Sequence, residues 1–363
     1  MKIIDWYILK RFLVTFLFTL LILIPIAIAI DVSEKIDNFL EHPNLGISEV
    51  LNDYYINFII YYSNTFMPLA LFIAVILFTS KLSSNTEIIA ITNAKVSFTR
   101  FLYPYFIGAS LVTLLSLAMN HYVVPKSSKI RKGFEKKYIN SSKQSNALKY
   151  VSNFSLQLTD STYIFIRSFN TANNMGYDFN SETYDGIKLI SKLSSDNIMY
   201  NPKDSTFTLT GWRKRLIYEK RDRIFSGNKL DTVFNFSTKD LVYKSAFAQE
   251  MPSGELLKYI NISKKRGVKN LNAYLVEFYK RTSLPIASYI LTIIAVGLSF
   301  RKKRGGTGVN LAIGVGIMFL YVFFMKVGEV LGSVAGVDSL AYVWIPNIIF
   351  GVVAIYLYLN GRK

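Results

Sequence analysis

Six long apolar stretches, three on each side of a polar segment, constrain this chain more than any other feature. They run over residues 12–30, 54–79, 101–124, 282–300, 309–331 and 340–359. Each is near the roughly 20 apolar residues that a helix needs to cross a hydrocarbon core. Inside lipid every backbone N–H and C=O has to be satisfied within its own segment, so these spans are expected to be helices. The polar, basic insert between spans three and four is then a separate, water-exposed domain.

Basic residues beside the short loops set the expected orientation. Lys2, Lys10 and Arg11 precede span one, and Lys81, Lys95 and Arg100 lie between spans two and three. Arg301, Lys302, Lys303 and Arg304 join spans four and five, and Arg362 and Lys363 follow span six. All four places fall on one side, which the positive-inside rule makes cytoplasmic. Opposing them is a second basic group, with Lys126, Lys129, Arg131 and Lys132 after span three and Lys264, Lys265, Arg266 and Lys269 before span four. Long domains translocate largely regardless of charge, so the short loops decide and the insert is placed outside.

The net charge of +18 is concentrated partly in that insert, which suits an anionic lipid or polyanionic ligand. Nucleic acid is excluded as a partner by the domain's placement outside the cytoplasm. With no cysteine, the domain has to hold together without disulfides. Basic residues, an apolar run and Ala27-Ile28-Ala29 imitate a secretory signal, but the run is longer than a signal's apolar region and reads as a retained anchor.

Within the insert the period shortens. Residues 162–169, 205–210 and 230–236 are rich in aromatic and β-branched residues, and Asn201-Pro202-Lys203-Asp204 reads as a turn. An all-β sandwich or jelly-roll-like sheet is expected. Residues 253–265 read as an amphipathic helix with Leu256, Leu257 and Ile260 on one face. On the cytoplasmic side, Ser84 with Glu87 three residues later reads as a capping box, followed by Ile88, Ile91 and Ala94 at helical spacing. The fold class is therefore a membrane α-helical bundle of six transmembrane helices with an inserted extracytoplasmic all-β domain. Its expected divisions are 1–124, including a short cytoplasmic helix near 81–98, then 125–270 and 271–363.

Residues for catalysis are sparse. His42 and His121 stand far apart without an acidic partner at useful spacing, and no thiol is present to act as nucleophile or metal ligand. Arg304-Gly305-Gly306-Thr307-Gly308 lacks the Lys-Ser/Thr ending of a phosphate loop and follows no strand. No cofactor, metal site or ATP site of its own is expected. Lys326 and Glu329 lie one turn apart on span five, and Asp31, Glu34 and Lys35 cluster at the outer end of span one, past Pro25. Ion-paired depth anchors are the plain explanation of both groups; a functional role is the alternative.

Several short patterns, taken in order, resemble the F- and G-type permeases of the lipopolysaccharide-export ABC transporters. They are residues 4–12, Met67-Pro68-Leu69-Ala70, the run 81–88, Ser97, Pro104, Asn120 and Val124-Pro125. After the insert come Met251-Pro252-Ser253-Gly254-Glu255-Leu256, Tyr274, Glu277, Arg281, Pro285, Arg304-Gly305-Gly306 and Trp344-Ile345-Pro346-Asn347. The start of span one leans towards the G type.

The resemblance implies a non-enzymatic half-transporter in the bacterial inner membrane, with both termini cytoplasmic and the β domain periplasmic. It would pair with a related permease and be driven by a cytoplasmic ATPase dimer that binds the ATP. The pair would extract lipopolysaccharide and pass it to periplasmic jelly-roll bridge proteins. The helix carrying Ser84, Glu87, Ile88, Ile91 and Ser97 would couple to the ATPase. Spans one and five would form lateral gates, making Asp31, Glu34, Lys35, Lys326 and Glu329 gate candidates. Phe165 and Phe207, expected to face inward, are candidates for a lipid groove in the β domain. Where the family often has Gly, this chain has Ala94-Lys95, so a different local turn is expected. Two rivals stay open: a permease for lipoproteins or force transmission, and a membrane-anchored scaffold or sensor.

Overall fold

The computed structural model describes residues 2–43, 45–139, 150–170, 173–202, 204, 206–218, 221–234, 236, 245–265, 271–301 and 306–362. The basic run at Lys302, Lys303 and Arg304, the first glycine of the adjoining turn, Arg266, Lys269, Lys363 and parts of two expected strand segments (Ser205, Asn235) lie outside the described residues, as does Lys203 of the expected turn.

Nine helices are described. The six expected spans are α1 (Ile3–Leu40), α2 (Ile47–Ser84), α4 (Phe98–Ile139), α7 (Asn272–Ser299), α8 (Gly306–Gly332) and α9 (Ser339–Arg362). The shortest, with 24 residues, is about 36 Å long and so exceeds a hydrocarbon core of roughly 30 Å. The short helices are α3 (Glu87–Asn93), α5 (Ser245–Glu250) and α6 (Ser253–Lys265). Helix α1 runs through Pro25 without a break. Helices α2 and α4 are longer than their apolar stretches and contain wider π-turns at Val50–Tyr55, Met119–Val123 and Glu135–Ile139.

The chain divides into two compact units, one of Met1–Ile139, Ala248–Leu256 and Asn272–Lys363, the other of Asn140–Phe247 and Leu257–Leu271. In the helical unit α2 and α7 are central: α2 packs on α1, α7 and α8, while α7 also packs on α4 and α9. Helices α1 and α8 are the least buried of the six spans.

Polar residues tie the spans together where lipid offers no hydrophobic drive between helices. Asn347 donates to the Ser283 carbonyl at 2.9 Å and accepts from Tyr321 at 3.0 Å, joining α7, α8 and α9. Asn310 donates to Ser80 Oγ at 3.0 Å, joining α8 to α2. Such bonds are worth about 0.6–1.7 kcal/mol each in a membrane. Close approach matters as much. Gly108 on α4 lies beneath the buried Phe12 of α1, and a Cβ there would stand 2.0 Å from the Phe12 ring.

The β unit holds one antiparallel sheet of six strands: β1 (Tyr150–Gln157), β2 (Thr162–Asn170), β3 (Met175–Asp185), β4 (Lys188–Asn201), β5 (Thr206–Leu216) and β6 (Arg223–Thr232). Each strand pairs with its neighbour in sequence, so the described sheet is an up-and-down meander. One face carries a core of Leu156, Ile164, Ile166, Phe179, Ile198, Phe207 and Leu209, against which Phe234 and Phe236 pack. These last two were expected in a strand, but the strand begins earlier and ends at Thr232. Helix α6 matches its expected bounds; Leu256 and Ile260 are buried, whereas Leu257 is exposed and does not share their face.

Gly108→Ala should lower the thermal midpoint of the full-length protein in detergent, at a cost of about 1–3 kcal/mol from overpacking. Gly316→Ala on α8, where a Cβ would meet nothing within 4 Å, should lower nothing. Equal midpoints for the two variants would contradict the packing of α1 on α4.

Candidate functional site

The basic flanks of the spans meet at one end of the bundle. Arg100 Nη2 donates to the buried Asp5 carboxylate at 2.6 Å, which pins the start of α4 to the start of α1. Arg301 donates to the Asn360 carbonyl at 3.0 Å, and Phe98 packs on both Phe300 and Tyr358.

Helix α3 lies at this end. The expected capping box does not form: Ser84 closes α2 and donates to the Lys81 carbonyl at 3.0 Å, while Thr86 precedes α3 in a left-handed conformation with φ of +65°. The sequence pattern fits a cap, but Asn85 and Thr86 turn the chain before Glu87 can begin a new helix. After α3, Lys95 has φ of +59°, so the left-handed turn for which glycine is suited is made here by lysine. Two left-handed non-glycine residues therefore bracket a helix of seven residues, each costing of order 1–2 kcal/mol. Ile88 anchors α3 to the bundle, and Ile91 packs against the same core, whereas Ala94 is exposed. Glu87 accepts from Tyr7 of α1 at 3.2 Å and from Asn85 at 3.4 Å. The outer face shows Ile89, Ala90 and Asn93. Ser97 caps α4, its Oγ accepting from the Arg100 N–H at 3.2 Å.

The other end carries two charged clusters. In the first, Lys35 Nζ lies 2.7 Å from Asp31 Oδ1, and Tyr54 OH donates to the same oxygen at 3.0 Å. Lys35 also donates to Tyr54 OH and lies 3.9 Å from Glu135, itself 3.7 Å from Arg131. The Arg131 guanidinium stacks over Tyr61 at 4.5 Å. Glu34 is exposed and forms no ion pair among the described residues. In the second cluster, Glu329 bridges two lysines: Lys326 at 3.0 Å, on its own helix, and Lys280 of α7, also at 3.0 Å. No ion pair among those described joins the two clusters. Tyr54, Glu135 and Lys280 are not evident from the sequence because Tyr54 and Glu135 meet Lys35, and Lys280 meets Glu329, across long stretches of chain; Arg131 stands out there only as a basic flank.

Part of the opposing positive group after span three, together with the neighbouring Lys136 and Lys137, finds polar or acidic partners here. Lys132 donates to Gln249 at 2.7 Å, Lys136 lies 3.5 Å from Glu250, and Lys137 lies 3.1 Å from Glu49. Arg281, nearly fully buried, donates to Ser253 Oγ and to the Ala248 carbonyl, both at 2.8 Å.

In the sheet, Phe207 lies on the buried face but Phe165 does not. Ile164, Phe165 and Ile166 are consecutive apolar residues, and the pleat turns the two isoleucines inward and Phe165 outward, 37% exposed. Arg167 shares its outer side and pairs with Asp178 at 3.0 Å. Outside the membrane, the hydrogen bond from Lys192 holds the Glu182 carboxyl below its usual range.

A family described as lipopolysaccharide export system permease LptF/LptG matches residues 6–360, nearly the whole chain. The chain belongs to the LptF/LptG family. No curated protein matches it. As an LptF/LptG member it is a multi-pass membrane protein and a permease in lipopolysaccharide export, a transport subunit that works with other Lpt components and is not itself an enzyme. Several residues that carried the resemblance are structural in this LptF/LptG chain: Asn120, Arg281 and Asn347 all hold spans together.

Glu329→Gln should destabilise the protein by about 1–3 kcal/mol, because it removes the carboxylate that pairs with the mostly buried Lys280. Lys326→Ala should cost under about 1 kcal/mol, since Lys326 is largely exposed. Denaturation midpoints of the two variants in detergent check the order.

Proposed function

We propose that this chain is one permease of an ATP-driven exporter, and that α3 is where a cytoplasmic ATPase dimer engages it. The observation that supports this most is α3 itself: a short helix set off by left-handed residues at both ends, with Ile88 buried and Ile89, Ala90 and Asn93 facing outward. A helix held so can transmit displacement in either direction, because Ile88 roots it in the bundle and Glu87 ties it to α1 through Tyr7. The basic end of the bundle, which includes α3, is cytoplasmic in this reading, so the β unit is periplasmic in a bacterial inner membrane.

Helices α1 and α8 would then face a related permease and gate lipid access, in keeping with their low burial within this chain. Asp31, Lys35, Lys326 and Glu329 sit on these two helices, towards the end away from α3. Lys35 is already held by Asp31 and Tyr54, so it would grip a lipid phosphate weakly; Lys326, largely exposed, is the freer of the two lysines. Lipid would pass to the β unit and on to jelly-roll bridge proteins, with acyl chains meeting the face that holds Phe207. The family match favours this reading over the lipoprotein-permease and scaffold alternatives.

Glu87→Lys should abolish co-purification of the ATPase and stop export while the protein remains inserted. Co-purification and export at the unaltered level would overturn the role of α3.

A further inference from the structure

A groove of about 500 Å³ opens between α1 and α2 beside α3. Its α1 wall is Tyr7, Arg11, Thr15 and Phe18, and its α2 wall includes Leu77, Phe78 and Lys81. The α1 residues recur at helical spacing along one face, so the groove runs inward from the end of the bundle. Polarity changes along its length. Arg11, Lys81, Asn85 and Glu87 stand at the end, whereas Phe18 and Leu77 stand deeper along the spans.

Charge at the mouth is not balanced among the described residues. Arg11 stacks over the Tyr7 ring at 5.8 Å, and among the described residues neither Arg11 nor Lys81 forms an ion pair with a carboxylate. The one acid, Glu87, already accepts from Tyr7 and Asn85. Two cations against one occupied carboxylate leave a net charge of about +1, the complement of one phosphodiester. We infer that this groove binds an anionic phospholipid of the adjacent leaflet, its phosphate between Arg11 and Lys81 and an acyl chain along Phe18 and Leu77. The site lies at the opposite end of the bundle from the charged clusters of Asp31 and Glu329, so it is distinct from the proposed path of lipopolysaccharide. Its occupant would lie against Tyr7 and Glu87 and so brace α3. Binding itself does not depend on the proposed coupling to an ATPase.

The full-length protein in nanodiscs containing phosphatidylglycerol, phosphatidylethanolamine or phosphatidylcholine, analysed by native mass spectrometry, tests this. Phosphatidylglycerol should be retained selectively. Each basic group near an anionic surface is worth roughly fivefold in affinity, so R11Q/K81Q should lose at least about tenfold. R362Q, at the same end but outside the groove, should lose little. T15W keeps both cations and fills the groove, and should also lose the lipid. Equal retention of phosphatidylethanolamine, retention unchanged in R11Q/K81Q and T15W, or bound lipopolysaccharide in place of phospholipid would overturn the site. So would displacement by millimolar inorganic phosphate, which would mark a free-anion pocket, or loss of a protein partner in R11Q/K81Q with lipid retention unchanged.

Discussion

The buried guanidinium of Arg281 is the interaction on which the helical unit most depends. A charge inside a membrane protein is tolerated only when its donors are satisfied, and here Glu277, Ser253 and the Ala248 carbonyl satisfy them. Ser253 in turn meets His121 Nδ1 at 2.7 Å. The Arg281 carbonyl accepts from Asn120 at 3.3 Å, Asn120 accepts from Asn64 at 2.7 Å, and Asn64 accepts from Ser116 at 2.8 Å. One residue on α7 thus fixes α4, α2 and the segment by which the chain returns to the bundle. Removing the guanidinium would strand the Ala248 carbonyl and leave Glu277 and Ser253 without their cation, a larger loss than any single interhelical bond represents, while the backbone link from the Arg281 carbonyl to Asn120 would remain.

With that frame set, the two ends of the bundle are built differently. The basic end is locked by the Asp5–Arg100 pair yet presents α3 as a short, strained, outward-facing element. The other end is locked by Lys280–Glu329 and by the Asp31–Lys35–Tyr54 cluster, leaving Lys326 largely exposed. Pairing of this kind suits a lipid that has to be released as well as captured, because a fully bare cation would hold a phosphate too firmly. Low burial of α1 and α8 gives the chain two apolar faces that require lipid or another subunit beside them.

Much of the architecture was legible in the sequence because lipid imposes one rule on every span. Apolar length alone locates the six helices, and the amphipathic pattern of 253–265 places α6 to the residue. What escaped depends on geometry that periodicity does not carry. Ser84 and Glu87 have cap spacing, yet a left-handed Thr86 intervenes. Three consecutive apolar residues at 164–166 conceal which way the pleat turns, so apolar content alone does not show that Phe165 faces outward. Lys326 and Glu329 declare their pairing by being one turn apart, but Lys280 joins them from 49 residues away. The family resemblance supplied candidates such as Asn120 and Asn347, and only packing explains why asparagine serves there.

In the proposed mechanism this chain moves lipopolysaccharide when driven from its basic end. The most direct test is transfer of labelled lipopolysaccharide from proteoliposomes containing this chain, its partner permease and the ATPase to a soluble β-domain acceptor. Transfer that requires ATP and stops when this chain is left out is the predicted result; equal transfer without this chain, or none with every component present and ATP being hydrolysed, would contradict it.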